Sequence, residues 1–425
     1  MLSPFFLRAA VLWALLFCSL AQAAPALTLT LAEAQRRAVD RSRQLAAQDS
    51  SVTASREMAA AAGQLPDPVL KIGIDNLPVD GADAFSLTND SMTQRRIGLA
   101  QEIPRDDKRQ ARSARFEREA ERVQAEKAAT VAAIQKDTAL AWLDRYYAEA
   151  MVKAGTVQIG QARLEIEGAE AAYRAGRGSR ADVLSARTVL VGLEDKLSEA
   201  ERRVRSARIM LARWVGEDAA ALAGEPGMDA VALDINALDA QLAHHPQIAV
   251  LGKQEQVADA EVQLARANRQ ADWGVEMSYN LRGPQYANMI SFGVSVPLQW
   301  DRKNRQDREL AAKLALLEQS RAQREDALRA HVAEVRSLLA EWQNGRSRVT
   351  RYERELLPLA DERTQAVLAA YRGGKASLAE VLAARRGETE VRIQTLQLRA
   401  DTARLWAQLN FLGAETPAGQ VKEKP

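Results

Sequence analysis

Two stretches of the chain, Ala172–Arg187 (AYRAGRGSRADVLSAR) and Ala370–Arg385 (AYRGGKASLAEVLAAR), say nearly the same thing 198 residues apart. Each reads as the end of one helix, a glycine turn and the start of a second helix, because glycine takes the left-handed backbone conformation that closes a helix. The chain is therefore one structural unit written twice, and whatever precedes one turn should precede the other. The first turn holds Gly176, Gly178 and Ser179, with Asp182 just beyond; the second holds Gly373, Gly374 and Ser377, with Glu380 just beyond.

The segments upstream do match in order. Leu31 to Gly63 is free of proline and reads as a helix of roughly 33 residues, capped by Thr28–Thr30 and ended by the Gln64–Pro68 segment. The period then changes from 3.6 to 2. Leu70, Ile72 and Ile74 alternate with Lys71, Gly73 and Asp75, and Ile97, Leu99 and Ile103 belong to a second alternating run that Pro104 closes. From Asp106 to about Tyr173 there is no proline, so one helix of nearly 70 residues, roughly 100 Å at 1.5 Å per residue, should follow. It reverses at Gly176 and returns from Ala181 to Trp214. In the second copy, Ile235–Gln270 is predicted as helix, Trp273–Leu281 and Met289–Leu298 as strands, Asp301–Tyr371 as the long helix and Leu378–Phe411 as its return, with Pro297 closing the last strand. Pro358 interrupts the second long helix and the first has no counterpart, so the second hairpin should bend more than the first.

The N-terminus addresses compartment. Arg8, the apolar run Ala9–Leu20 and the small residues Ala21 and Ala23 make 1–23 a cleavable signal peptide. The only cysteine, Cys18, lies inside it, which leaves the mature chain no thiol; lipid attachment at Cys18 is the alternative, and Phe17 stands where a small residue would be needed. The remaining divisions are 24–220 for the first copy, 221–234 for a linker, 235–413 for the second copy and 414–425 for a flexible tail.

Composition narrows the function. Aromatic residues are 5% and charged residues 27% of the chain, a balance that suits helical rods, and a net charge of +2 gives no general pull toward nucleic acid. No apolar stretch of membrane-spanning length follows the signal segment, so a membrane role would need a β-barrel. The strands suit one, with lipid on the apolar side and water on the other. Four strands cannot close a barrel, so several chains must share it, and three would supply 12 strands and 12 rods. The first and last helices of each copy, end to end, match the long helix between them in length. Four rods of equal reach per chain result.

At these residues a family resemblance appears. The helix-strand-strand-helix-helix order repeated, the twin turns, and the strand-to-helix segments Gln101–Arg109 and Ser295–Lys303 resemble TolC-type outer-membrane efflux proteins over essentially the whole mature chain. Leu65–Gly73 followed by Asp75–Pro78 resembles the cobalt-zinc-cadmium and copper-silver branch. The resemblance implies a mainly α chain with a membrane β-barrel: a homotrimeric 12-stranded outer-membrane barrel continued by a long periplasmic α-helical barrel. It also implies an exit duct working with a periplasmic adaptor (membrane fusion) protein and an inner-membrane RND-type pump. Heavy-metal cations are the first expected cargo; drugs or type I secreted peptides are the alternatives.

In that family the turns form the periplasmic tip, where the tube is gated and the adaptor docks, which assigns these roles to Gly176, Gly178, Ser179, Asp182, Gly373, Gly374, Ser377 and Glu380. Glu380 matches a gating carboxylate, and a ring of three would favour cations; Ala383 stands where some relatives carry a second acid. Pro104 and Pro297 mark the strand-to-helix transitions and Pro358 a helix kink.

Catalytic chemistry is not expected: G-x-S-x-G, H-E-x-x-H and phosphate-cradling loops are missing. No cofactor is expected, and no metal site, since His244 and His245 are adjacent and diverge on a helix while His331 stands alone. Trp142, Trp214, Trp342 and Trp406 read as packing anchors between rods. The competing class is a periplasmic coiled-coil adaptor or scaffold, against which the duplicated strand pairs argue.

Overall fold

The computed structural model describes residues 28–217, 221–231, 233–234 and 237–412. The signal-peptide, Cys18 and C-terminal-tail expectations lie outside these residues. In chain order the elements are β1 (Thr28–Leu29), α1 (Leu31–Asp40), α2 (Arg43–Ala62), β2 (Val69–Asp75), β3 (Gln94–Ile103), α3 (Asp106–Arg174), α4 (Arg180–Val215) and β4 (Ala221–Leu222). They continue as α5 (Leu238–Ala243), α6 (Pro246–Ala267), β5 (Trp273–Leu281), β6 (Met289–Ser295), α7 (Gln306–Arg351), a π-helical turn (Tyr352–Leu356), α8 (Leu357–Arg372) and α9 (Leu378–Asn410). Among the described residues two compact units result, one from 28–41, 134–231 and 338–411, the other from 42–133, 233–337 and 412. The helices α3 and α7 contribute to both.

Three departures from the sequence expectations have local causes, and a fourth is a long-range pairing. The first helix is two helices, because Ser42 leaves the helical region (ψ 111°) and its hydroxyl accepts from Leu45 N–H, starting α2 afresh. The helix expected from Ile235 is also two, since Pro246 can open a helix at its first turn but cannot continue one, and α6 begins there. The helix expected from Asp301 begins at Gln306, because Asp301 first closes a turn, its Oδ1 taking the Asn304 side-chain amide at 2.8 Å. Finally, the short parallel bridge of β1 to β4 had no sequence signal.

In the first unit, helices bury small and aromatic side chains together. Trp142, Trp342 and Trp406 are buried, and the Trp142 and Trp406 indoles donate to the carbonyls of Leu29 (3.0 Å) and Ala230 (2.9 Å). Trp214 is half-buried, with the Arg213 guanidinium over its ring. Just ahead of Pro358 lies the π-helical turn. Proline has no N–H for the carbonyl four residues back, and the widened turn instead has Leu357 N–H donate to Tyr352 O.

The second unit carries one antiparallel sheet of order β2-β3-β5-β6. Its register puts Ile72 opposite Ile97, Ile97 opposite Tyr279, and Tyr279 opposite Ile290; the next row runs Leu70, Leu99, Met277, Phe292. The alternate rows run Lys71, Gly98, Ser278, Ser291 and Asp75, Gln94. Because side chains alternate with period 2, one face is apolar across four strands and the other is polar. Gly98 is required by this packing: a Cβ there would stand 2.8 Å from Ser278 Cβ and 2.9 Å from the Met277 carbonyl oxygen.

Candidate functional site

Two regions hold the residues singled out from the sequence: the sheet with its strand-to-helix transitions, and the pair of hairpin turns. The sheet's apolar face is open to its surroundings. Ile72 is 74% exposed, Phe292 77% and Val294 68%, with Leu99, Met277 and Tyr279 also exposed. An apolar area of this extent on a water-bathed surface would be unfavourable. The opposite face is built from ions and amides: Lys71 Nζ meets Glu276 Oε2 at 2.6 Å, Arg96 meets Asp75 at 3.2 Å, and Asn280 donates to Ser291 Oγ at 2.9 Å. Among the described residues β2 and β6 each pair on one side only. Their free N–H and C=O groups would need partners in hydrocarbon.

Pro104 is fully buried where β3 turns into α3. The first turn of α3 is fastened to the start of β5, with Lys108 Nζ 2.6 Å from Asp272 Oδ2 and both side chains nearly enclosed (7% and 15% exposed). Pro297, after β6, is exposed and leads into the turn that precedes α7.

The hairpin turns share one geometry. In the first, Arg177 N–H donates to Ala172 O (2.9 Å) and Gly176 N–H to Tyr173 O (3.0 Å); in the second, Lys375 N–H donates to Ala370 O (2.8 Å) and Gly374 N–H to Tyr371 O (3.0 Å). These paired bonds satisfy the last carbonyls of a helix and need a left-handed residue. Gly176 (φ 72°) and Gly374 (φ 71°) supply it. Gly373, at φ −82°, caps the end of α8 with an ordinary right-handed backbone. Gly178 lies close against the end of α3, a Cβ there standing 3.3 Å from Ala172 Cβ.

The serines and acids then open the return helices. Ser179 Oγ accepts from Asp182 N–H while the Asp182 carboxylate accepts from Ser179 N–H, and Ser377 and Glu380 do the same. Two backbone donors are satisfied reciprocally at each helix start. The bonds from Ser179 and Ser377, backbone first and hydroxyl second, hold both carboxyls below their usual range, so both stay charged in mildly acid water. Asp182 and Glu380 thus carry fixed negative charge at the tips and also a capping role that the gate reading had not considered.

Behind the turns, Ala169, Val183 and Ala186 of the first hairpin bury against Leu378, Val381 and Leu382 of the second, with Tyr371 beside them. Deeper along the helices the sequence reading missed an ion cluster. Arg385 joins Glu165 (3.2 Å) to Glu388 (3.1 Å), and Arg392 holds Glu388 from the other side (2.8 Å). Burial raises the Glu165 carboxyl, with Arg385 pulling against it. A groove of about 350 Å³ runs beside Glu165, Arg385, Arg386 and Glu390. Its members lie far apart in sequence, so no local pattern reveals it.

Among the described residues no group of three or more His, Cys, Asp or Glu side chains is arranged to hold a metal ion. No described helix is long and apolar enough to cross a membrane. The expectation that His331 stands alone is corrected: its ring lies 4.6 Å from that of His245, centre to centre.

Known proteins share this architecture. The outer-membrane channel OprN superposes with a TM-score of 0.76 at 17% identity, over 91% of this chain and 90% of its own. CusC, whose structures describe folding and transmembrane channel formation, gives 0.73 at 16% identity over 91% and 92%. The outer membrane protein VceC of Vibrio cholerae gives 0.72 at 18% identity over 91% and 97%. No curated protein matches the chain. Residues 237–414 match the family model of outer membrane efflux proteins. The chain therefore has the fold of outer-membrane channel proteins, and within it the second half carries the signature of the outer membrane efflux family.

Proposed function

We propose that this chain is one subunit of a homotrimeric outer-membrane exit duct, exported by a cleaved signal peptide and serving a tripartite efflux pump. The observation that carries the reading is the four-stranded sheet, with one face apolar and exposed, one face ionic, and an unpaired edge at each side. Lipid suits the first face, water the second, and other copies of the same chain would close the edges into a 12-stranded barrel. The helical hairpins form the periplasmic barrel of the duct, written as two copies over 24–220 and 235–413. Their turns, Gly176–Asp182 and Gly373–Glu380, form the mouth, where an adaptor protein docks and couples the duct to an inner-membrane RND-type pump. Glu380, kept charged by its cap, gives the mouth three negative charges that favour cations. The second hairpin bends at the π-helical turn before Pro358, the place where its backbone ladder is already widened.

The cargo we assign is a heavy-metal cation, on the strength of the Leu65–Gly73 and Asp75–Pro78 segments. A deletion strain tests this directly. Lost tolerance to zinc, cobalt, cadmium or copper, restored by the wild-type gene, supports the assignment; unchanged metal tolerance with new drug sensitivity overturns it.

A further inference from the structure

The apolar face of the four-stranded sheet ends in a cation. Arg95 of β3 stands in register with Ile74 on one side and Leu281 on the other, and strand alternation puts it on the face of Ile97 and Leu99. From Arg95 to Ile103, at the other end of β3, is about 27 Å of strand, comparable with the ~25 Å apolar band of a membrane barrel. Trp273 lies opposite Ile103, and Tyr279 lies diagonally across from Arg95, one row in. Aromatic rings at the two ends of an apolar band mark membrane interfaces. An arginine on the lipid side of a barrel is tolerated at that depth and not at the mid-plane.

On the opposite face cations are neutralised, Lys71 by Glu276 and Arg96 by Asp75. Arg95 is not. Among the described residues no carboxylate lies within ion-pair distance of this half-buried side chain; its Nη2 donates to the Arg282 carbonyl oxygen at 3.4 Å, and its Nε is enclosed without an acceptor. Nearby, the Asn288 amide donates to the Tyr279 hydroxyl oxygen at 2.9 Å, which leaves the phenolic proton for another acceptor. The Asn288 Oδ1 is itself taken by Arg282 N–H at 3.0 Å. What this end of the face offers is therefore a set of donors. Gln101, toward the other end of the same strand, differs: its amide is committed to the carbonyl oxygens of Pro66 (2.7 Å) and Glu102 (2.8 Å).

Donors with a positive charge and no acid beside them suit an anion, and a guanidinium matches the oxygens of a phosphate two at a time. Diagonal neighbours in a sheet are within reach of long side chains, so the Tyr279 hydroxyl can add a third donor to the same group. Position selects the source of the phosphate. Arg95 lies at the hairpin-loop end of the sheet, away from the transitions at Pro104 and Pro297 that lead into the long helices. In the duct reading that end is the outer leaflet. There a side chain on the lipid face, directly above apolar rows, meets the headgroup of a lipid whose acyl chains cover those rows.

We propose that Arg95, aided by the Tyr279 hydroxyl, holds the phosphate of an outer-leaflet lipid, an inference that rests on the duct reading. The test uses the full-length mature protein, extracted as its trimer, washed free of native lipid, titrated with lipid A and followed by native mass measurement. Wild type should retain lipid A against an equal concentration of inorganic phosphate and should not retain lipid A stripped of its phosphates. Arg95→Gln should weaken retention by roughly tenfold or more, and Tyr279→Phe by about threefold. Arg96→Gln, on the opposite face, should behave as wild type. Equal retention by a trimeric Arg95→Gln variant, equal retention of the stripped lipid, or displacement by the inorganic phosphate overturns the proposal. If Arg95→Gln does not assemble, Tyr279→Phe carries the test, and unchanged retention by that variant overturns it. An extract without trimers overturns the duct reading and this inference with it, whereas a wild-type trimer that keeps no lipid A overturns this inference alone.

Discussion

Phe292 offers the sharpest quantitative prediction, because water and lipid give opposite answers at this one residue. It is the middle residue of β6, 77% exposed, on the row with Met277 and Leu99. On a water-bathed surface an exposed Phe→Arg change would fall within about ±0.5 kcal/mol. Facing the middle of a bilayer, arginine on a barrel's lipid side costs about 2–4 kcal/mol per chain. Three copies in one barrel would lose roughly 6–12 kcal/mol. Ser291→Arg is the control, since Ser291 points to the polar face and gives up one hydrogen bond to Asn280, a loss of about 0.5–1.5 kcal/mol. Denaturant unfolding in lipid vesicles, followed by the loss of the heat-resistant oligomer, measures both. Equal stability of the Phe292→Arg variant and wild type would refute the lipid-facing assignment.

The hairpin turns separate two adjacent glycines: Gly374→Ala should destabilise by about 1–2 kcal/mol because φ is 71°, whereas Gly373→Ala, at φ −82°, should be neutral or stabilising by about 0.4–1 kcal/mol. Ser377→Ala should lower the stability of the second hairpin by about 1 kcal/mol, read as faster amide exchange at the start of α9. The Asp182 and Glu380 carboxyls are held below their usual range, so their contribution is present above the unfolded pKa and lost as pH falls through the folded one. Glu165 is held above its ordinary value and acts in the opposite sense, its protonation favouring the fold as pH falls; amide exchange between pH 7 and 3 should therefore show the turns loosening only at the acid end. Removing one member of the enclosed Lys108–Asp272 pair should cost roughly 3–5 kcal/mol, and the paired change Lys108→Met with Asp272→Leu should recover most of it in a denaturant double-mutant cycle.

Much of this fold is legible in the chain. Period-2 alternation located β5 to the residue, because Trp273 to Leu281 has one face in an apolar setting and the other in a polar one. Pro104 marked the end of β3 and glycines the hairpin turns, since both act through local backbone geometry, whereas β6, expected to reach Leu298, stops at Ser295. What escaped the reading was either a competing local signal or a long-range meeting. Ser42 broke the first helix by capping a new one, and Pro246 opened a helix where continuity was expected. Asp182 and Glu380 were read as charges for a gate, although the Ser-x-x-acid spacing also spells a capping box. The Glu165–Arg385–Glu388 cluster and the His245–His331 contact depend on helices brought together by the whole fold. No periodicity within either helix announces them.

The central claim is that three chains close one barrel around the sheet edges left open within each. Native mass measurement on protein extracted from the outer-membrane fraction tests it most directly. The account predicts an assembly of three chains that survives heating in mild detergent. A monomer recovered from the soluble periplasmic fraction would contradict it.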